Sequence, residues 1–243
     1  MNSMLLGVNI DHVATLRQVR GTTYPSLIDS ANIAVAAGAD SITLHLREDR
    51  RHIQDKDVLE LKSFLTVPMN LELAITDEML EIAEKYQPKF CCFVPERREE
   101  LTTEGGLDIV KNKQKVGEAC TRMKIAGIRP SLFLDADPKQ IEAAAESGAS
   151  VIEIHTGSYA NAYHTQSRSL EFKKIADATV QAISLGLQVN AGHGLNYENV
   201  KLIAEIIDVH ELNIGHSIIA QAVFDGLEGA VQKMKKIMQQ ARL

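Results

Sequence analysis

Eight short β-branched or apolar runs recur along the 243-residue chain, each followed by a longer stretch with helical spacing, and this alternation constrains the fold more than any other feature. The runs predict strands at about 5–11, 41–46, 69–73, 90–95, 129–135, 151–156, 187–191 and 211–215. Several intervening helical stretches end at a glycine suited to a left-handed helix stop, as at Gly38, Gly127, Gly148 and Gly186. The segments AVAAGADSITLHL and AAAESGASVIEIHT share one plan: an Ala-rich helix, a Gly-Ala turn and a strand with His near its end. Repetition of one β-α unit without a long linker or a break in composition predicts a closed (β/α)8 barrel, one domain over residues 1–243. An open doubly wound sheet is the alternative. It lacks its dinucleotide fingerprint here, because the first strand runs straight into DHVATLRQ with no G-x-G-x-x-G.

Composition narrows the partners. With 26 Lys and Arg against 32 Asp and Glu the formal charge is −6, the wrong sign for nucleic acid or an anionic membrane, so any bound anion needs a local site. The three cysteines, Cys91, Cys92 and Cys120, make no paired framework and read as reduced core residues. MNSMLLGVNIDH shows no basic leader or cleavage site, and no apolar run approaches the roughly 18 residues of a membrane span, so a cytoplasmic protein is expected.

Strands buried on both faces should be almost continuously apolar. These alternate instead: Asn9 and Asp11, Thr43, His45 and Arg47, Asn70 and Glu72, Ser131 and Asp135, Glu153 and His155, Asn190, and Asn213 share one parity, opposite a face of Val, Ile and Leu. The polar parity therefore faces the barrel interior. A single inward Asn or Thr is accounted for as a hydrogen-bonded core group, but so many ionisable groups directed into one interior would be costly to bury. A solvated mouth at the C-terminal ends of the strands, where barrel enzymes carry their sites, accommodates them.

Glycines mark an anion site. Gly192, His193 and Gly194 follow the seventh strand, and Gly215 and His216 the eighth, where the backbone can approach a phosphate and the helix N-termini that follow can face it. Arg17 and Arg20 in the first connection, and Arg47 and His52 after the second strand, suggest a second anion site, whereas Arg50 and Arg51 read as solvated. The polar loop PERREELTTEGGLD has the character of a lid. Metal catalysis is disfavoured: His12, next to Asp11, has outward parity, and His45 is spaced by one from the cation Arg47. His164 and His210 read as surface background.

Together, GVNIDHVATLRQVRGTTYP, ITLHLREDRRHI, MNLELA, FCCFVPERREELTTEGGLD, IEIHTGSYA, VNAGHGLNY and ELNIGHSII resemble the pyridoxine 5′-phosphate synthase family, from about residue 5 to the last helix. The resemblance implies a cofactor-independent condensation of 3-amino-2-oxopropyl phosphate with 1-deoxy-D-xylulose 5-phosphate, giving pyridoxine 5′-phosphate, phosphate and water. It implies acid–base roles for His45, Glu72 and His193, and charge stabilisation by Glu153. It places aminoketone phosphate contacts on Asn9, Arg20, Gly194, Gly215 and His216, and deoxyxylulose phosphate contacts on Asp11, His12, Arg47, His52 and Thr102. It also implies a homo-octamer.

Two other classes compete. A phosphosugar isomerase or aldolase-like barrel would use the same phosphate loops, but a Schiff-base aldolase needs a strand-borne lysine, and the inward positions contain none. A phosphometabolite sensor would need the anion loops without convergence of His45, Glu72 and His193 on one cavity.

Overall fold

The computed structural model describes residues 4–96 and 105–243. The eight strands are β1 (Leu5–Asn9), β2 (Ser41–His45), β3 (Met69–Leu73), β4 (Phe90–Phe93), β5 (Arg129–Leu134), β6 (Val151–His155), β7 (Gln188–Gly192) and β8 (Val209–Ile214). All pair in parallel with their sequence neighbours, and β1 also pairs with β8, which closes the barrel. The expected architecture holds, and the open-sheet alternative falls.

Alternation explains closure. Leu6 and Val8, Ile42 and Leu44, Leu71 and Leu73, and their counterparts on the other strands are fully buried between barrel and helices. Burying such side chains contributes about 1.5–3 kcal/mol each, and no sheet edge is left to solvent.

Local signals set the helices: α1 (Asp11–Arg20), α2 (Leu27–Ala36), α3 (Asp55–Phe64), α4 (Asp77–Tyr86), α5 (Lys113–Ile125), α6 (Pro138–Glu146), α7 (Gly157–Ala162), α8 (Arg168–Ser184), α9 (Val200–Ala204) and α10 (His216–Gln240). Ser26 caps α2 by accepting from the Asp29 amide, and Asp137 caps α6 ahead of a Pro at its first position. The glycines expected to stop helices have left-handed backbone, with φ of 107° at Gly38 and 76° at Gly127. The free cysteines are all buried. Among the described residues no helix is long and apolar enough to cross a membrane.

Three local expectations fail. The first connection is helical, and Arg17 is not an anion anchor: its guanidinium donates to both carboxylate oxygens of Asp57 at 2.8 and 2.6 Å, a buried clamp between α1 and α3. Arg50 is not simply solvated, since it donates to Asp55 and Glu78 at 2.9 and 2.6 Å. The helix after the seventh strand begins only at Val200, beyond a further turn, and not close behind Gly194.

Candidate active site

Strand register builds the site. His45 lies opposite Glu72, Glu72 opposite Cys92, Phe133 opposite Glu153, and Gly192 between His155 and Asn213. Residues paired across parallel strands point to the same face, so the C-terminal rim brings these side chains to one mouth. A cavity of about 400 Å³ opens there, walled by Asn9, His12, Glu72, Glu153, His193, Gly194, Asn213, Gly215 and His216, with Val94 and Phe133 as its apolar side.

Asp11, His45, Arg47 and His52 form an adjoining group. The Asp11 carboxylate accepts from the His45 amide at 2.8 Å and from the Asn9 side chain at 2.9 Å. The rings of His45 and His52 lie 6.2 Å apart. Arg47 is 3% exposed, as its inward parity predicts. The His52 Nδ1 accepts from the Ile53 amide at 2.8 Å, which puts the proton of the neutral ring on Nε2.

His12 corrects the strand-parity reading. The chain turns helical at Asp11, so His12 swings into the mouth, packs against His216 with ring centres 4.9 Å apart and planes tilted by 57°, and lines the cavity. Its buried Nδ1 has no hydrogen-bond partner among the described residues. Arg20 is exposed in the last turn of α1, outside the residues that wall the cavity. Thr102, and most of the loop expected to act as a lid, lie outside the described residues. His164 and His210 are exposed, as expected.

A hydrogen-bonded belt crosses the barrel beneath the cavity. The Asn70 amide donates to the Thr43 hydroxyl at 3.3 Å, that hydroxyl donates to the Asn213 side-chain oxygen at 2.9 Å, and the Asn213 amide donates to Glu153 at 2.7 Å. Gly192 gives Glu153 its place: a Cβ there would stand 2.3 Å from a Glu153 carboxylate oxygen. The next residue, His193, has φ 75°, a left-handed conformation rare outside glycine. The Thr156 hydroxyl lies 2.6 Å from the His193 carbonyl and 2.8 Å from that of Gly192, and so anchors the turn.

The electrostatics follow from enclosure. Burial pushes the Glu153 carboxyl up to about 8, against the Asn213 hydrogen bond, with Glu211 adding repulsion. Burial, then Glu153 and Asp11, raise Glu72 well above the usual range. Burial lowers His193 to about 4, with His155 and His12 adding to the effect. His12 and His52 are lowered chiefly by burial as well. Burial thus opposes charge on Glu72 and Glu153 and on the rings of His12, His52 and His193 alike.

Asp11, His45 and Glu72 present donor atoms within 4.8 Å of one another, a metal-capable trio drawn from separate elements that spacing along one strand does not reveal. Two of its members are already engaged: both Asp11 oxygens accept protein N–H groups, and His45 Nε2 meets Glu96 at 2.8 Å.

Sequence reasoning also missed Glu211, which shares parity with Asn213 and is buried, with its carboxyl raised to about 7 by that burial. Asp135 and His155 were assigned inward parity without a role. They pair at 2.8 Å on the wall of a second cavity of about 590 Å³, which shares His193 and Gly194 with the first.

The barrel is similar to those of several solved enzymes. KGPDC from Streptococcus mutans matches with TM-score 0.66 at 14% identity, over 99% of each chain. A ligand-free tryptophan synthase from M. tuberculosis matches with TM-score 0.64 at 11% identity, over 100% of this chain and 94% of that one. Phosphoribosyl anthranilate isomerase from Thermus thermophilus matches with TM-score 0.61 at 13% identity, over 98% of this chain and 99% of that one. Such identities establish the fold alone. The sequence itself matches the model of the pyridoxal phosphate biosynthesis protein PdxJ over residues 6–240. With nearly its whole length so matched, the chain belongs to the PdxJ family of pyridoxine 5′-phosphate synthases and is an enzyme of vitamin B6 biosynthesis.

Proposed function

We propose that the substrates are 3-amino-2-oxopropyl phosphate and 1-deoxy-D-xylulose 5-phosphate, joined and cyclised without a cofactor to pyridoxine 5′-phosphate, phosphate and water. The observation that carries this reading is the convergence of Glu72, Glu153 and His193, from β3, β6 and the end of β7, on the wall of one cavity, where burial opposes charge on all three. The amine of an aminoketone phosphate is cationic in water. Entering beside two carboxyls, it favours their ionisation and turns Glu72 into a base at the moment it is needed. Glu153 then stands as the counter-charge for an iminium-like cation.

Of the residues implied as aminoketone phosphate contacts, Asn9, Gly194, Gly215 and His216 wall the cavity and Arg20 does not; of the deoxyxylulose phosphate set, Asp11, Arg47 and His52 cluster around His45, while His12 joins the cavity wall beside His216. An anion at Gly215 also meets the N-terminus of α10, which begins at His216. His193 is assigned as the proton donor to the departing phosphate. A phosphate dianion beside this ring offsets the cost of charging it and lifts it toward protonation. Among the described residues no lysine walls the cavity, which argues against a lysine Schiff base and for condensation between the substrates themselves. Assembly as a homo-octamer remains part of the proposal; Val19 on α1 and Phe224 on α10 are exposed apolar residues available to it.

The test supplies both phosphorylated substrates to metal-stripped protein and follows phosphate release together with pyridoxine phosphate absorbance. Stoichiometric formation of both products supports the reading, and folded protein that forms neither overturns it.

A further inference from the structure

Glu96 stands three residues past β4, where neither strand parity nor the family resemblance singles it out. Its side chain is only 5% exposed. One carboxylate oxygen meets His45 Nε2 at 2.8 Å, and the other accepts from the Glu48 amide at 3.1 Å, so both oxygens are held. The His45 backbone is fixed separately, by donation of its amide to Asp11. Burial alone would push the Glu96 carboxyl up; the His45 hydrogen bond and nearby Arg47 outweigh it and keep the group ionised.

We propose that Glu96 is a positioning residue for His45, accepting its Nε2–H so that Nδ1 carries the lone pair and the ring is held in one orientation. The inference rests on the reading of His45 as a general base. A ring nitrogen bonded to a carboxylate determines which tautomer the neutral imidazole adopts. With Nε2 engaged by Glu96, Nδ1 is the ring nitrogen left to take a proton. When it does, the proton passes from substrate to Nδ1, the ring becomes a cation paired with the Glu96 carboxylate, and the same proton leaves Nδ1 in a later step. Glu96 itself stays ionised throughout.

The competing role runs through Arg47, whose Nε lies 4.0 Å from Glu96. A carboxylate that merely held an anion-binding arginine would govern substrate affinity, and one that merely braced the loop would govern stability. Steady-state turnover of both phosphorylated substrates separates these, measured for the natural protein, Glu96→Ala, Glu96→Gln, His45→Asn and the double variant His45→Asn/Glu96→Ala. For Glu96→Ala we expect kcat to fall about 10- to 100-fold with both KM values changed by no more than about twofold. Glu96→Gln, whose amide oxygen can still accept Nε2–H, should retain more activity than Glu96→Ala. Within the His45→Asn background, loss of Glu96 should have no further effect, because its action passes through the missing ring.

An unchanged kcat in Glu96→Ala, a change confined to one KM, or losses that multiply fully in the double variant would each overturn the proposal. If Glu96→Ala does not fold, Glu96→Met, which fills the same volume without an acceptor for Nε2–H, and its double variant with His45→Asn supply the same cycle. Failure of the natural protein to turn over these substrates is a separate result that overturns the reaction assignment.

Discussion

Asn213 is hydrogen-bonded on both sides: its amide donates to Glu153 at 2.7 Å while its side-chain oxygen accepts from Thr43 at 2.9 Å. This one side chain joins β8 to β2 and β6, and it supplies the donor that opposes the effect of burial on Glu153. Removing it by Asn213→Ala should raise the Glu153 carboxyl above its present value of about 8. It should also cost about 1–3 kcal/mol through the polar groups left unpaired. Carbon-13 titration of labelled glutamates and urea unfolding would check the two effects; a Glu153 that titrates lower in the variant would contradict the account.

The same burial makes stability depend on pH. Glu153 titrates near 8 and Glu211 near 7 in the fold, against about 4.5 when unfolded, and Glu72 is raised as well. The native state therefore holds protons that the unfolded chain has released, and stability falls as pH rises from about 4.5 toward 8. His193, lowered to about 4, has the opposite effect, but only below its ordinary value of 6.5. Above pH 6.5 the carboxyls act alone, with a slope approaching about 1.4 kcal/mol per pH unit for each proton retained. Denaturation midpoints should decline between pH 6.5 and 8, and Glu211→Gln should flatten the first part of that decline.

Arg17 and Asp57 form a buried, bidentate ion pair whose acidic member also accepts from the Gln54 amide in the capping box of α3. Breaking it from one side leaves an uncompensated buried charge, so Arg17→Met should destabilise the fold by about 3–5 kcal/mol. The double variant Arg17→Met/Asp57→Leu should recover much of that loss. Calorimetry of the two variants measures the difference. An increase in a substrate KM for Arg17→Met, with stability unchanged, would restore the anion-anchor reading that the structure rejects.

Phosphate and a proton should bind together. Burial, His155 and His12 hold His193 down to about 4 in the free protein, and a dianion in the adjoining cavity opposes that. Inorganic phosphate should raise the titration midpoint of the His193 ring and draw protons from the buffer, visible as a buffer-dependent heat in calorimetry. His193→Gln should abolish the proton uptake while leaving phosphate binding measurable. A His193 resonance that does not move with phosphate would remove this residue from the donor role.

The legible part of this protein rested on period. Alternation of two along each strand assigned Glu72, Glu153, Asn213 and Arg47 to the interior, and repetition of the β-α unit closed the barrel, because both are local properties that many residues report together. Single residues near element ends were less legible. Strand parity turns His12 the wrong way because α1 begins at Asp11, and Arg17 reads as a ligand because Asp57, its partner, lies 40 residues away.

By itself, then, the sequence determined the architecture, the inward-facing set and the family, since periodicity and motif order need no knowledge of distance. Tertiary structure alone decided which polar groups face one another. Glu96 meets His45 across 51 residues, Asn213 reaches Glu153 across 60, and Gly192 leaves room for a carboxylate on the neighbouring strand. These contacts shift each carboxyl up or down and hold each ring in one orientation. Such properties depend on enclosure and on separations of a few ångströms between strands, which chain order does not encode locally.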